Sequence, residues 1–404
     1  MNRSVLKLIN IGNLVTYADK LQTINNTIDT QILIRDNQID TIGKNISGDY
    51  PTFDCKGKLI TPGFVDSHTH PVFLNGREEE FGLRLQGATY QEIAEKGGGI
   101  NSSILGVRTA TVEELVNAVR KRMDRFLKLG TTTIEAKSGY GLDVESELKS
   151  LEVLDIVNKD HPIDIIPTFL GAHSFPPEFT NDHDGYVNLI CNEMIPAVTE
   201  QGIAKYCDVF CENGYFNIEQ SRRILETAKS FRLIPRLHAD EFEDSGAAEL
   251  SAEINAISAD HLMAISESGI AKMAEANVIA TILPVTTFFL GSSNYAPVKK
   301  LINTEVEIAL ATDYNPGSCH IQSMPFIISL ACIYLRMSVE EALLAVTHNS
   351  AKTLQLEKEV GSIEIGKKAD LIIWDLEKLI EIPYNFSDLP IIKVMKGGKF
   401  INKP

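Results

Sequence analysis

The chain has 404 residues, of which 44% are hydrophobic and 23% charged, the composition of an ordinary globular protein rather than a disordered or fibrous one. Its formal net charge of −16 argues against nucleic acid and against an anionic membrane surface as partners. No apolar run approaches the roughly 18 residues of a membrane span and no leader with a cleavage site is visible, so we predict a cytoplasmic protein. The six cysteines lack C-x-x-C spacing, which favours reduced, buried thiols.

Both ends of the chain show the pattern of short strands joined by turns. Near the N-terminus, Asp36-Asn37 separates two alternating runs and is a hairpin signal. We therefore predict one small composite β-sandwich domain, formed by residues 1–58 and 354–404, that flanks a larger domain of residues 59–353. The strand-like runs at the two ends are residues 7–11, 28–35, 38–43, 369–374 and 391–401.

In the long middle of the chain, strand-like runs alternate with helix-like ones, which is typical of a parallel α/β fold. One helix is predicted from Thr111 to Leu129, with Thr111 as its N-cap and acidic residues in its first turn. Eight such units predict a TIM-type (β/α)8 barrel, whose active site lies at the carboxyl ends of the strands. The eight predicted strands end near Asp66, Lys137, Gly171, Glu212, His238, His261, Pro284 and Asp313.

Histidine and carboxylate side chains concentrate at these predicted strand ends. His68 and His70 are two residues apart, so their imidazoles share one face of an extended segment. Two convergent imidazoles suit a metal ion that prefers nitrogen donors and leave room for ligands from other strands. The remaining candidates at or just after strand ends are His173, His238, His261 and Asp313.

A glycine run at residues 97–99 invites comparison with a phosphate-binding loop. No Gly-Lys-Ser/Thr follows the run, so this interpretation fails. We expect instead a segment over the mouth of the barrel that acts as a lid.

Several local motifs carry a resemblance that spans essentially the whole chain. They resemble the amidohydrolase superfamily and, more narrowly, its imidazolonepropionase family. The resemblance implies a barrel with a composite β domain and the hydrolysis of the ring amide of 4-imidazolone-5-propanoate to N-formimidoyl-L-glutamate in L-histidine degradation. The motifs are residues 62–70 (PGFVDSHTH), 137–142 (KSGYGL), 171–173 (GAH), 238–241 (HADE) and 312–318 (TDYNPGS).

The resemblance also implies one Zn²⁺ or Fe ion per subunit, and the choice between the two metals stays open because imidazole and carboxylate suit both. Such an ion lowers the pKa of bound water toward ~7. Many superfamily members bridge two metals with a modified lysine at the end of strand 4, where this chain has Cys211-Glu212. One metal is therefore favoured, with Glu212 as ligand of a second ion as the alternative. The four implied ligands are His68, His70, His238 and Asp313.

Three residues are candidates for the chemical step. Asp313 is a candidate proton acceptor. Glu241, which contacts the substrate ring in the family, could orient or deprotonate the attacking water, so the identity of the general base stays open. His261 is predicted to donate a hydrogen bond to the carbonyl oxygen as negative charge develops there.

The substrate implied by the resemblance carries a propionate, which calls for a cation in an otherwise acidic protein. Arg77 has the forked guanidinium that matches a carboxylate. By the same resemblance, other residues complete the substrate pocket and the enzyme is a homodimer. These further substrate contacts are Tyr140, His173, Glu241, Asn315, Gly317 and Ser318.

Two alternatives to this function stay open. Another amidohydrolase, such as a heterocycle deaminase or a hydantoin-type ring hydrolase, would share the metal ligands without needing Arg77, Tyr140 and His173. A barrel that has lost catalysis and serves as a scaffold would be expected to lack ligands, and none is missing from the set. Metal analysis of the purified protein distinguishes the scaffold from both enzymes.

Overall fold

The structure, a computed structural model, describes residues 4–88 and 98–401. Eight parallel strands form one sheet in which every strand pairs with its neighbours in chain order. All eight strands predicted from the sequence are present. Their bounds are β6 Phe64–Asp66, β7 Thr131–Lys137, β8 Asp164–Ala172, β9 Tyr206–Cys211, β10 Ile234–Ala239, β11 Ser258–His261, β12 Ile279–Ile282 and β13 Ile308–Leu310.

The first and last strands of this sheet meet just beyond their carboxyl ends. Thr69 and Tyr314 form a parallel bridge, and the Tyr314 carbonyl accepts from the backbone N–H of His70 at 2.8 Å. The buried carboxylate of Asp66 accepts from the backbone N–H of Thr312 at 3.0 Å and from its hydroxyl at 2.6 Å. These contacts close the sheet into the TIM-type barrel that the alternating pattern predicted.

Helices follow most barrel strands, as a (β/α)8 arrangement requires. The N-cap prediction is confirmed, because the Thr111 hydroxyl accepts from the backbone N–H of Glu114 and the Glu114 side chain bonds back in a capping box. The described helices are α1 Glu78–Leu85, α2 Ile100–Thr109, α3 Val112–Lys128, α4 Val144–Asp160, α5 His183–Leu189, α6 Ile195–Gln201, α7 Ile218–Ser230, α8 Ala247–Glu253, α9 Glu267–Ala276, α10 Pro284–Phe289, α11 Val298–Asn303, α12 Met324–Ile333, α13 Val339–Ala345, α14 His348–Thr353 and α15 Glu381–Tyr384.

Strands from both chain ends form the second sheet, in the order β16-β15-β14-β5-β1-β2-β3 with β4 beside β1. The hairpin predicted at Asp36-Asn37 is confirmed, since Arg35 pairs with Gln38 across it. The two ends meet where β14 pairs antiparallel with β5. The bounds of this sheet are β1 Val5–Ala18, β2 Thr23–Arg35, β3 Gln38–Gly43, β4 Thr52–Asp54, β5 Leu59–Pro62, β14 Leu371–Trp374, β15 Ile391–Lys396 and β16 Lys399–Phe400.

The connection between the two sheets lies directly before the first barrel strand. Leu59–Pro62 is an apolar run just upstream of β6, but it pairs with β1 and β14 in the second sheet. The chain then enters the barrel through Gly63, where a Cβ would overlap the side chain of Thr132. Only glycine leaves room for this abrupt passage from one sheet to the other.

Some apolar side chains of the second sheet join the core of the barrel, whereas others, such as Leu8, Ile32 and Ile373, form a separate cluster within that domain. The largest cluster joins barrel residues to Leu59 of β5 and to Trp374 of β14, and the buried Trp374 indole donates to the hydroxyl of Thr61 at 2.9 Å. The six cysteines are unpaired, and five of them are buried, as predicted. Within the described part of the chain, no helix is long and apolar enough to cross a membrane.

Candidate active site

Three imidazole nitrogens and one carboxylate oxygen converge at the carboxyl end of the barrel. Nε2 of His70 lies 3.2 Å from Nε2 of His68 and 3.3 Å from Nε2 of His238. Oδ1 of Asp313 lies 3.3 Å from Nε2 of His70 and 3.6 Å from Nε2 of His68. All four side chains are buried. The loops after β6 and β13 and the end of β10 thus bring the four sequence-predicted ligands to one point.

Two carboxylates determine which nitrogens of these imidazoles carry lone pairs. Asp260 accepts from Nδ1 of His68 at 2.6 Å, and Asp208 accepts from Nδ1 of His238 at 3.1 Å. Nε2 of His68 and Nε2 of His238 therefore carry lone pairs, and so does Oδ1 of Asp313. These atoms lie 3.2–3.6 Å from one another or from Nε2 of His70, and His70 can place at most one proton between them. A cation resolves this conflict, and ligand atoms about 3.4 Å apart are what tetrahedral bonds of ~2.05 Å produce. The cluster therefore fits a metal ion.

Burial keeps the imidazoles of His68 and His70 neutral. Burial, with the Lys137 charge as the next contribution, lowers the pKa of His68 well below its usual value. Burial and the neighbouring His238 do the same to the pKa of His70. Neutral imidazole is the form that coordinates a metal.

Two buried cations, Lys137 and Arg236, pair with the carboxylates that accept from His238 and His68. Lys137 contacts both Glu135 and Asp208 at 2.8 Å, and Arg236 contacts Asp260 at 3.3 Å. Burial opposes the ionisation of Asp208, but His238 and Lys137 outweigh it and hold the pKa of that carboxyl well below its usual range. The sequence analysis singled out neither Asp208 nor Asp260. A usable signal existed, because both are charged residues inside predicted buried strands, where an unpaired charge is costly.

His261 and Glu241 lie on one side of the cluster. Nδ1 of His261 is 3.7 Å from Oε2 of Glu241 and has no hydrogen-bond partner among the described residues. Burial lowers the pKa of His261 to about 3, and burial together with the Asp313 charge raises the pKa of Glu241 well above its usual value. His261 has a φ of 80° and Asp313 a φ of 51°, conformations that are costly for these residues and cluster at functional sites.

A cavity of about 640 Å³ opens above the cluster, and most predicted site residues line it. The sequence analysis did not predict its aromatic wall, where the rings of Phe210 and Tyr215 lie 4.2 Å apart, or the guanidinium of Arg84. The sequence-predicted residues that line the cavity are His70, Arg77, Tyr140, His173, His238, Glu241, His261, Asp313, Asn315 and Ser318.

Asn315 shapes the turn that follows Asp313. Its Oδ1 accepts from the backbone N–H groups of Gly317 and Ser318 at 2.8 and 2.7 Å, and its Nδ2 donates to the Asp313 carbonyl at 2.7 Å. The amide is therefore engaged within the loop, and it fixes the side chain of Ser318 at the cavity. Gly317 is predicted to contact substrate, but it does not line the cavity and instead packs against the guanidinium of Arg77.

The contact between Gly317 and Arg77 gives a first testable prediction. A Cβ at position 317 would overlap Nη2 of Arg77, so we expect Gly317→Ala to displace the guanidinium. The KM for the expected substrate, 4-imidazolone-5-propanoate, should then rise about tenfold, because one hydrogen bond to the ligand is weakened. Steady-state kinetics measures this. Gly82→Ala is the control, because a Cβ at that helical position meets nothing within 4 Å. Equal kinetics for the two variants would contradict the prediction.

Tyr140 and His173 form another part of the cavity wall. The ring of His173 stacks on the ring of His70 with centroids 5.0 Å apart, and the Tyr140 ring lies 5.2 Å from that of His173. Nδ1 of His173 donates to the Gly139 carbonyl at 2.8 Å, which leaves Nε2 as an acceptor.

Glu212, the candidate ligand of a second ion, uses both of its carboxylate oxygens to accept backbone hydrogen bonds. It accepts from the backbone N–H of Phe242 at 2.9 Å and from that of Asn213 at 3.0 Å.

The predicted lid falls partly on Gly97, which lies outside the described residues, whereas Gly98 and Gly99 come directly before α2.

Comparisons with known proteins agree with this architecture. A model of the amidohydrolase family matches residues 213–401. A triazine hydrolase variant has a TM-score of 0.75 at 16% identity, covering 98% of this chain and 94% of that one. Guanine deaminase from C. acetobutylicum has a TM-score of 0.72 at 20% identity, covering 99% of this chain and all (100%) of that one. At these identities the likeness is one of fold, and the match of residues 213–401 to the amidohydrolase family indicates the class of protein.

Sequence relatives narrow the class. The imidazolonepropionase of Alkaliphilus metalliredigens is 48% identical over 360 residues, which make up 89% of this chain and 84% of that relative. The imidazolonepropionase of Geobacillus kaustophilus is 48% identical over 348 residues, 86% of this chain and 82% of that relative. The chain belongs to the imidazolonepropionase family.

Proposed function

We propose that the chain hydrolyses 4-imidazolone-5-propanoate with one metal ion held by the four clustered side chains. Family membership makes it a hydrolase acting on the C–N bond of a cyclic amide in histidine degradation, with a small-molecule substrate. The observation that carries the proposal is the convergence of three Nε2 atoms and one carboxylate oxygen below a cavity with a guanidinium on its wall.

The metal is proposed to be a single Zn²⁺ or Fe ion. Three imidazoles and one carboxylate suit both metals, and the hydrogen bonds of Glu212 to backbone N–H groups favour one ion over two. When bound, such an ion lowers the pKa of water toward ~7 and so supplies hydroxide at neutral pH. The ligands are proposed to be His68, His70, His238 and Asp313.

The chain's own residues are proposed to move the protons. Oδ2 of Asp313 accepts from the Thr286 hydroxyl at 2.7 Å, so this carboxylate is held in place to receive a proton from the attacking water. His261 is neutral and has an unengaged Nδ1 among the described residues, which suits a donor to the developing oxyanion. Glu241 is buried beside it, and its raised pKa suits a group that holds a proton against the ring of the substrate.

The remaining cavity residues are proposed to bind the substrate. Arg77 is proposed to hold the propionate, because it lines the cavity and its side chain is only 8% exposed. Its Nε forms an ion pair with Oε2 of Glu80 at 3.6 Å, beyond hydrogen-bond distance, so this N–H makes no hydrogen bond among the described residues. Tyr140 and His173 would flank the imidazolone ring, and Asn315 and Ser318 would complete the wall next to the ion, with Gly317 packed behind them against Arg77.

Turnover of imidazolonepropionate tests the function directly. We expect the purified, metal-loaded protein to remove the ultraviolet absorbance of the substrate, a chelator to abolish turnover, and added Zn²⁺ or Fe to restore it. Guanine and a hydantoin, offered in the same assay, serve as controls and should not be consumed. Absence of turnover of imidazolonepropionate, or turnover that persists after complete metal removal, would refute the proposal.

Two further expectations are proposals that rest on the family resemblance and composition. We propose a homodimer, which light scattering at assay concentration can test. We propose a cytoplasmic location without nucleic acid or membrane partners, supported by the net charge of −16 and by six unpaired cysteines.

A further inference from the structure

A buried carboxylate outside the cavity holds the loop that follows β7. Glu147 lies in the first turn of α4 and is 0% exposed. Its carboxylate accepts from the backbone N–H groups of three loop residues: Gly139 at 3.0 Å, Gly141 at 2.9 Å and Leu142 at 2.9 Å. A single side chain thus satisfies three of the six backbone N–H groups of residues 138–143, a loop that has no regular secondary structure of its own.

This loop carries two parts of the proposed substrate pocket. Tyr140 lies between the bonded residues and lines the cavity. The Gly139 carbonyl accepts from Nδ1 of His173 and so sets the tautomer of that ring, which stacks on His70. Gly139 has a φ of 107°, and a Cβ there would lie 3.1 Å from Nδ1 of His173, so the loop approaches this ring closely.

We propose that Glu147 is a positioning residue that supports substrate binding through Tyr140 and His173. It contacts neither the cavity nor the metal ligands and acts by fixing the backbone between them. The inference rests on the proposed function, because it assumes that Tyr140 and His173 meet the substrate ring.

The choice of a carboxylate follows from the number of donors. An ionised carboxylate offers two acceptor oxygens with about four lone pairs, whereas a glutamine offers one oxygen and turns an NH₂ group toward an N–H. Glu147→Gln therefore leaves at least one buried N–H of the loop opposite another donor. Glu147→Asp keeps the charge but shortens the side chain by one methylene, so it cannot reach all three donors.

Kinetics and hydrogen exchange on the metal-loaded protein together test the proposal. For Glu147→Gln we expect KM for imidazolonepropionate to rise about tenfold, with kcat within about twofold and metal content unchanged. The reason is that the lost contacts bind the substrate equally well in the ground state and in the transition state. Exchange of the amides at residues 139–142 should accelerate. Glu145→Gln is the control, because it makes the same change at an exposed position of the same helical turn. Should Glu147→Gln fail to fold, Glu147→Asp takes its place with the same expectations.

A double variant tests whether Glu147 acts through His173. In a His173→Gln background, Glu147→Gln should raise KM less than about threefold, because the ring it positions is gone. An undiminished effect, an unchanged KM, or a matching loss of kcat and metal would overturn the proposal. Failure of the proposed function looks different: the wild-type protein would then not turn over the substrate at all. In that case unchanged amide exchange in Glu147→Gln would still refute the hold of Glu147 on the loop, and faster exchange would support it.

Discussion

Replacing His238 with alanine is expected to abolish metal binding and turnover together. His238 supplies one of three convergent Nε2 atoms, and its removal also leaves Asp208 without its imidazole partner. Loss of a supporting hydrogen bond alone costs up to roughly 100-fold in metal affinity, so loss of the ligand should cost more. Turnover should fall by about 10³-fold or more, since several kcal/mol of stabilisation depend on the ion. Metal analysis after dialysis and steady-state kinetics measure the two effects.

His183→Ala is the control for this experiment. His183 is an exposed histidine whose ring stacks on that of Phe175 with centroids 3.7 Å apart, and it does not line the cavity. We expect this variant to keep full metal content and activity. If His238→Ala retained a tightly bound ion, or lost activity while keeping the ion, His238 would not be a ligand.

Arg77→Ala is expected to raise KM by about 10- to 100-fold while the metal content stays unchanged. A charge-assisted hydrogen bond is worth roughly 1.5–3 kcal/mol, and this contact is made to a carboxylate remote from the reacting bond. Because the contact is the same in the ground state and the transition state, kcat should change much less than KM. Arg77→Lys should recover only part of the loss, since an ammonium lacks the two-point fork.

Arg223→Ala provides the matched control, because Arg223 is exposed and its guanidinium bonds to Asn188 on a neighbouring helix. Its KM should equal that of the wild type. An unchanged KM in Arg77→Ala would place the anion receptor elsewhere. Arg84 is the next residue to test, since it also lines the cavity and donates to the Gly317 carbonyl at 2.9 Å.

The barrel could be predicted from the sequence because its signals are local. Each strand is a short run that alternates with a helix-like segment, and the helix capped by Thr111 carries its own capping box. In a (β/α)8 barrel the carboxyl ends of all strands lie on one face. This alone predicted that His68, His238 and Asp313 meet, without knowledge of any contact between them.

Other features could not be predicted because they depend on register and packing between distant segments. Asp260 supports His68 across 192 positions, and the sequence does not state which strand lies beside which side chain. Leu59–Pro62 has the apolar pattern of a barrel strand, and only its pairing with β1 and β14 assigns it to the second sheet. Glu147 appears in the sequence as one more acidic residue of a helical turn.

Closure of the barrel determines when an ion can bind as the protein folds. Asp66 and Thr312 are joined by hydrogen bonds across 246 positions, and they stand next to the first and last residues of the cluster. A growing chain therefore lacks the complete cluster until its last barrel strand has docked against its first. Binding free energy of the ion is then gained only by the fully closed state, so removing the ion should lower the unfolding temperature of the barrel as a whole rather than loosen one strand.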